Sequence, residues 1–220
     1  TLDAVSAELL GEHKHDVDLD KLSEAWNTQH DKLEQYCHYN LHDSRLTHDL
    51  CIKILPLLIE FVKLTGALMF DVNRMSFSQL VETYIMNNAQ ARNEIAPNKP
   101  SYNEKQRRMG QRIQGAFVYE PKPGLYTNIA VFDYRSLYPS IIASHNISQG
   151  MLNCECCTGK QTLQTDRGNF WFCDKQKGFL SSTIENLIHI RAKVKQDIKQ
   201  GKTDQMTLAR SEALKVMANS

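Results

Sequence analysis

From Asp20 to about Thr65 the apolar and aromatic residues return at helical spacing: Leu22, Trp26, Leu33, Tyr36 and Tyr39, then Leu46, Leu50, Ile54, Leu57 and Leu58. That period lines one face of a helix and cannot line one face of a strand. Pro56 lies inside the run and is expected to kink or interrupt it, because its ring removes an N–H and crowds the preceding turn. Shorter patterns flank this one. Thr1 is placed to cap a helix carrying Leu2, Val5 and Leu9 that stops at Gly11. "MSFSQLVETYIMNNAQARNEI" reads as a further helix with Ser76 or Ser78 as its cap.

The middle of the chain reads differently. "APNKPSYNEKQRRMGQRIQG" has the composition of a linker. Strand-like segments follow, "AFVYEP" and, after the turn "KPG", "LYTNIAVFDY". Residues 143–182 read as irregular. Two helices close the chain, one from about Ser182 to Gln200 with Leu187, Ile190, Val194 and Ile198 on a stripe, the other from Thr207 onward. The short "GKTD" turn between them predicts an antiparallel pair.

With 220 residues, 41% hydrophobic and 23% charged, the chain can bury a proper core. A net charge of +1 gives no general attraction to nucleic acid, so any basic surface is local. The best apolar run, "ILPLLIEFV", is far short of the ~20 residues that span a bilayer. The N-terminal residues show no secretory pattern, which points to a cytosolic protein; without an initiator Met, the chain is expected to begin inside a domain.

Asp133 is the unusual residue of "VFDYRSLYPSII". On its own, a carboxylate ending an apolar strand either caps a turn or grips Mg²⁺ where phosphates bind, and spacing leaves both open. In the closing helices, Arg191 and Lys195 are four apart with Lys199 a turn further, as are Lys215 and Asn219. Each set shares a helix face, which is either a solvated basic surface or a grip on a polyanion.

"DYRSLYPSII" resembles the first palm motif of family B DNA polymerases, the archaeal-type branch in particular, and "EALKVMANS" resembles the fingers motif of that family. "ARNEIAPNKPS" and "YEPKPGLYTNIAVFD" resemble its approach to the palm. "YNLHDSRLTHDL" resembles the third proofreading-exonuclease motif through Tyr39 and Asp43. The resemblance covers nearly the whole chain.

It implies an α+β fold: the helical part of a ribonuclease H-like exonuclease domain with linking helices (1–95), a first palm segment with partial palm strands and a Cys-containing insertion (96–180), and truncated helical-hairpin fingers (181–220). It also implies site roles. Asp133 is one of two palm aspartates that bind a catalytic Mg²⁺ pair, and the Tyr134 carbonyl adds a ligand. N–H groups near Ser136 and Leu137 meet the triphosphate, and Tyr138 lies under the sugar and excludes a 2′-hydroxyl. Arg191, Lys195, Lys215 and Asn219 hold the incoming nucleotide. The reaction implied is attack of a primer 3′-hydroxyl on the α-phosphate of a dNTP with release of pyrophosphate.

The implied partners are primer–template DNA, dNTP, the remaining C-terminal palm and thumb segment and a sliding clamp, with no membrane; the implied location is the cytoplasm, at the nucleoid. The second palm aspartate belongs to a "DTD"-type triplet that this sequence lacks, and Asp43 alone cannot hold two metals. The Mg²⁺ site is therefore expected to be completed by residues outside this chain, and neither activity is expected from the chain alone. Where the family has a Tyr-x-Gly-Gly-like turn, "IQGA" has Ile113 and Ala116, beside the basic residues Arg107, Arg108 and Arg112.

Of six cysteines, Cys154, Cys156, Cys157 and Cys173 fall close together. Four thiols suffice for a tetrahedral zinc, although C-x-C-C is not the usual C-x₂-C knuckle. The resemblance instead implies a disulfide between Cys157 and Cys173, and free thiols are the default in a reducing compartment. Cys37 and Cys51 read as small core residues. His38 and His42 are spaced to seat a metal but lack a third ligand; "DVDLD" fails as a calcium loop because Lys21 and Asn27 replace Gly and Glu. The competing functional classes are a non-catalytic DNA- or nucleotide-binding module, including a split-polymerase subunit, and a zinc-binding interaction protein.

Overall fold

The structure, a computed structural model, describes residues 1–28, 30–110, 115–134, 136–157, 162–165 and 168–220. Arg112 and Ile113 lie outside the described residues. The chain divides into two compact units, one of residues 1–84 with 189–218 and 220, the other of residues 85–188 with 219.

In the first unit, α1 (Leu2–Leu10) is capped by the Thr1 hydroxyl, which accepts from the Ala4 N–H, and ends at Gly11 with φ 75°. A 3₁₀ turn (Leu19–Lys21) leads into α2 (Leu22–Thr28) and the long α3 (His30–Thr65). Pro56 lies within α3 without ending it; helices tolerate an interior proline when packing on neighbouring elements offsets the lost bond. Helices α1, α2 and the short α4 (Met69–Val72) pack on α3. The buried side chains here include Ala25, Leu46, Phe61, Val72 and Leu80. Phe61 meets Phe77 at 6.3 Å between ring centroids. Trp26 stays 68% exposed, and Ala25 supplies the buried contact of α2 in its place. Cys37 and Cys51 are exposed rather than core residues, because they lie off the buried stripe of α3.

Helix α5 (Phe77–Ala91) starts from a reciprocal cap. The Ser76 hydroxyl accepts from the Gln79 N–H, and the Gln79 carboxamide accepts from the Ser76 N–H at 2.8 Å. The C-terminal helices are α8 (Phe179–Lys199) and α9 (Gln205–Asn219), joined by residues 200–204. Gly201 takes φ 96° in that turn, and Asp204 caps α9 through the Thr207 N–H. Leu187 and Val194 on α8 and Ala213, Leu214 and Met217 on α9 are buried.

The second unit corrects two expectations. The linker-like stretch contains α6 (Tyr102–Met109), capped by Ser101, whose hydroxyl accepts from the Glu104 N–H. The segments expected to be strands, 116–121 and 125–134, form no strand; Phe117, Leu125, Val131 and Phe132 are each at least 88% exposed. A strand exists only through ladder bonds to a neighbour, and among the described residues none lies alongside. The sheet content is a small antiparallel hairpin, β1 (Leu163–Thr165) with β2 (Gly168–Phe170), in the register Gln164 to Asn169. Ahead of it come α7 (Leu137–Ser144) and a 3₁₀ turn (Glu155–Cys157). The described residues are thus mostly helical, with one two-stranded sheet.

Candidate functional site

Asp133 lies in an exposed segment with no helix or strand, and the turn into the next helix is at Ser136. Ser136 takes φ 52° and ψ 63°, a left-handed conformation that costs a non-glycine residue roughly 1 kcal/mol or more. That turn aims the chain into α7, whose first intrahelical bond runs from the Ser140 N–H to the Ser136 carbonyl at 2.9 Å. Pro139 is buried in the first turn, where a missing N–H costs nothing. The N–H groups of Leu137 and Tyr138 have no acceptor within the helix, and the Ser136 side chain does not cap them. A helix N-terminus with its positive partial charge therefore follows a bare carboxylate within a few residues.

Asp133 is exposed and forms no ion pair among the described residues. It fits as one carboxylate of a Mg²⁺ site, since that ion takes one or two carboxylates and fills its remaining positions with water and phosphate oxygens. Tyr138 presents its ring to solvent, 76% exposed, and Tyr134 is 78% exposed.

Arg191, Lys195, Lys199 and Lys215 belong to the other unit, whereas Asn219 groups with the unit of Asp133. Arg191 is half-buried, while Lys195 and Lys199 are exposed on α8. Lys215 and Asn219 are exposed one turn apart on α9. Lys215 pairs with Glu212 at 3.0 Å, both side chains about half exposed. Such a surface pair is worth about 0–1 kcal/mol, too little to hold the ammonium against a triphosphate.

Tyr39 and Asp43 come together with a residue that sequence reasoning missed. The Lys14 ammonium lies 2.7 Å from Asp43 Oδ2, donates to the Tyr39 hydroxyl at 3.1 Å and sits 5.2 Å from the Tyr39 ring centroid. These bonds, to Asp43 first and Tyr39 second, raise the Lys14 pKa above the ordinary lysine value. Asp3 on α1 accepts from the Lys14 backbone N–H at 2.8 Å, and that bond, with His13, holds its own pKa low. No local pattern announces a lysine in a connecting segment as the partner of a helical aspartate. His38 and His42 diverge: His38 faces Glu34 at 3.7 Å, while His42 stacks on His15 at 4.0 Å and bonds the His13 carbonyl.

The cysteines converge. The Sγ atoms of Cys154, Cys156, Cys157 and Cys173 lie within 4.8 Å of one another, and all four are free thiols. Cys157 donates to Asp174 Oδ1 at 2.7 Å, which pushes its pKa up to about 12. Backbone N–H groups of Gln176 and then Lys175 bring Cys173 down to about 7. Around the cluster, the Trp171 indole donates to the Cys154 carbonyl at 2.9 Å. Asn146, another residue the sequence did not announce, donates to the carbonyls of Cys173 and Gln176 and accepts from the Gly178 N–H and the Ser181 hydroxyl.

The sequence profile of DNA polymerase family B matches residues 71–220. The chain belongs to DNA polymerase family B. It is 36% identical to DNA polymerase 1 of Pyrococcus abyssi over 223 aligned residues, covering 100% of this chain and 28% of that protein. The DNA polymerase of Thermococcus litoralis is also 36% identical, with 13% of its length covered. The solved family B DNA polymerase of Pyrobaculum calidifontis superposes with a TM-score of 0.75 at 29% identity, over 100% of this chain and 29% of that one. This family B chain thus spans less than a third of the length of these relatives. No helix among its described residues is long and apolar enough to cross a membrane.

Proposed function

We propose that this chain forms part of a DNA-directed DNA polymerase, adding dNTP to a primer 3′-hydroxyl by phosphoryl transfer. The observation that carries the reading is the turn at Ser136, which sets Asp133 and the uncapped N–H groups of Leu137 and Tyr138 a few residues apart in a family B motif. Asp133 binds the magnesium side of the site together with the Tyr134 carbonyl. The amides at Ser136 and Leu137 orient the triphosphate, and the Tyr138 ring excludes a ribose 2′-hydroxyl. Arg191, Lys195 and Lys215 neutralise the triphosphate, and the Asn219 carboxamide donates a hydrogen bond to it. Magnesium, when bound, supplies charge neutralisation at the reacting phosphate and lowers the pKa of the attacking hydroxyl.

In this reading residues 1–95 are the exonuclease side with its linking helices, 96–180 the first palm segment and 181–220 the fingers. Tyr39 and Asp43 are a proofreading remnant in which Lys14 compensates the carboxylate. The exposed apolar segment 116–134 pairs with strands of a C-terminal palm and thumb segment that also brings the second aspartate. The test is reconstitution with such a segment from a family B relative. The pair should extend a primer, and Asp133→Ala should reduce extension at least about a thousandfold, the equivalent of roughly 4 kcal/mol of lost charge stabilisation. Extension that survives Asp133→Ala would sink the catalytic assignment. DNA binding without extension would favour the binding-module reading.

A further inference from the structure

We propose that Cys154, Cys156, Cys157 and Cys173 hold one structural zinc ion in the second unit. The distances carry the argument. Cys156 Sγ lies 3.6 Å from Cys157 Sγ and 3.6 Å from Cys173 Sγ, and Cys157 and Cys173 are 3.8 Å apart. In a tetrahedral zinc site with Zn–S near 2.3 Å, neighbouring sulfurs are separated by about 1.63 times that length, roughly 3.8 Å. Three near-equal edges of that size form one face of the tetrahedron. Cys154, within 4.8 Å of the others, stands as the fourth corner. A disulfide joins sulfurs in pairs and gives no reason for three to be equidistant.

The surroundings suit a metal. Cys157 and Cys173 are buried at 4% and 3% exposure, while Cys154 is half-buried and Cys156 exposed, so one side of the site is shielded and the other opens to solvent. Amides of Lys175 and Gln176 point at the Cys173 sulfur, an arrangement that orients and supports a thiolate ligand. The Cys154 carbonyl and the Cys173 backbone are both held, by Trp171 and by Met151. Four thiolates at tetrahedral spacing suit zinc or iron, of which zinc is the ion of closed structural sites that leave no position for a substrate.

The ion would join the 3₁₀ turn at Glu155–Cys157 to the segment entering α8, across the hairpin β1–β2. That segment has few buried apolar residues, and a metal can supply folding free energy where a core is thin. The site does not depend on the polymerase assignment.

The test uses the 220-residue chain, purified under reducing conditions from zinc-supplemented cells and dialysed. One zinc per chain is expected by elemental analysis. Replacement by Co²⁺ should give the intense d–d and sulfur-to-cobalt absorption of a tetrahedral tetrathiolate. The double variant Cys37→Ser, Cys51→Ser should keep the full zinc complement. Cys173→His should retain zinc as a Cys₃His site, whereas Cys173→Ala should lose it. Less than about one zinc per ten chains with all six thiols freely titratable overturns the proposal; so does a Cys157–Cys173 disulfide in the purified chain, or iron in place of zinc. If a cysteine variant does not fold, the metal ratio and cobalt spectrum of the parent chain decide on their own.

Discussion

The two units of this chain are held together by different kinds of contact. Residues 1–84 with 189–218 bury a few polar groups (Ser6, Glu60 and Thr65) but mainly Leu46, Phe61, Val72, Leu80, Leu214 and Met217, side chains that need only volume and an apolar face. Residues 85–188 bury Ala89, Ala143 and Leu187 together with Ser148, Ser181, Thr183, Cys157 and Cys173, and leave Phe117, Leu125, Val131 and Phe132 in solvent. The first is an ordinary helical core. The second is organised by directed polar bonds and thiols, so it depends on a few groups being in place rather than on total area buried. Non-directional packing tolerates imperfection; a polar network fails when one member is lost.

The sharpest way to break this contrast is to attack each unit at its most buried point. Leu46 is 1% exposed, and Leu46→Ala should cost about 2–5 kcal/mol through lost transfer energy and the cavity left behind. Urea unfolding would give the size, and hydrogen exchange would give the place. Protection should fall in residues 1–84 and hold in 145–182. Equal loss in both units would show one cooperative core and end the distinction.

Gly178→Ala is next. A Cβ there would sit 2.4 Å from the Ser148 Cβ and 2.6 Å from the Met151 Cγ, so the backbone must move. Overpacking of this kind costs about 3 kcal/mol at the upper end of its usual range. The loss should appear as faster exchange at the start of α8, where Ser148 Oγ accepts from the Leu180 N–H at 3.1 Å. Asn146→Gly is a gentler probe of the same place. Asn146 already has φ 53°, so glycine keeps the backbone conformation and removes only the side chain. Losing its bonds to Cys173, Gln176, Gly178 and Ser181 should cost about 2 kcal/mol, since each net bond is modest but the groups left behind are partly buried. An unchanged unfolding midpoint would mean that Asn146 accompanies the fold of the second unit without holding it.

The same contrast explains what could be read in advance. Helical periodicity located α1, α3, α5, α8 and α9, because an apolar stripe is written in consecutive residues and needs no knowledge of its partner. Pro56, expected to kink or interrupt the run, lies within α3 without ending it. In the second unit the order comes from pairs far apart in sequence. Asn146 reaches Gln176 across 30 positions, and Lys14 reaches Tyr39 in the first unit across 25. No local pattern encodes such bonds. The strands expected at 116–121 and 125–134 had the right composition but no ladder partner among the described residues, and composition alone does not make a strand. The turn at Ser136 was legible only as a family motif. Its left-handed backbone appears at a serine, where residue type gives no hint of it.

The smallest test concerns α6, a helix of the second unit built on a local ion cluster. Glu104 accepts from Arg107 Nε at 2.8 Å, from Arg107 Nη2 at 2.9 Å and from Arg108 Nε at 2.6 Å. These bonds, Arg107 first, pull its pKa down to about 2. A depressed carboxylate pKa stabilises the folded form above the ordinary glutamate value of 4.5, and the support is lost as the pH falls from there through about 2. The cluster lies at the surface, so salt should weaken it. An NMR titration of the Glu104 side-chain carboxyl should therefore show a midpoint near 2 in low salt and a higher one in concentrated salt, with α6 amides exchanging faster as the carboxyl protonates. A midpoint already in the ordinary glutamate range at low salt would remove α6 from the set of polar-held elements. The contrast between the units would then rest on Asn146, Ser148 and the four cysteines alone.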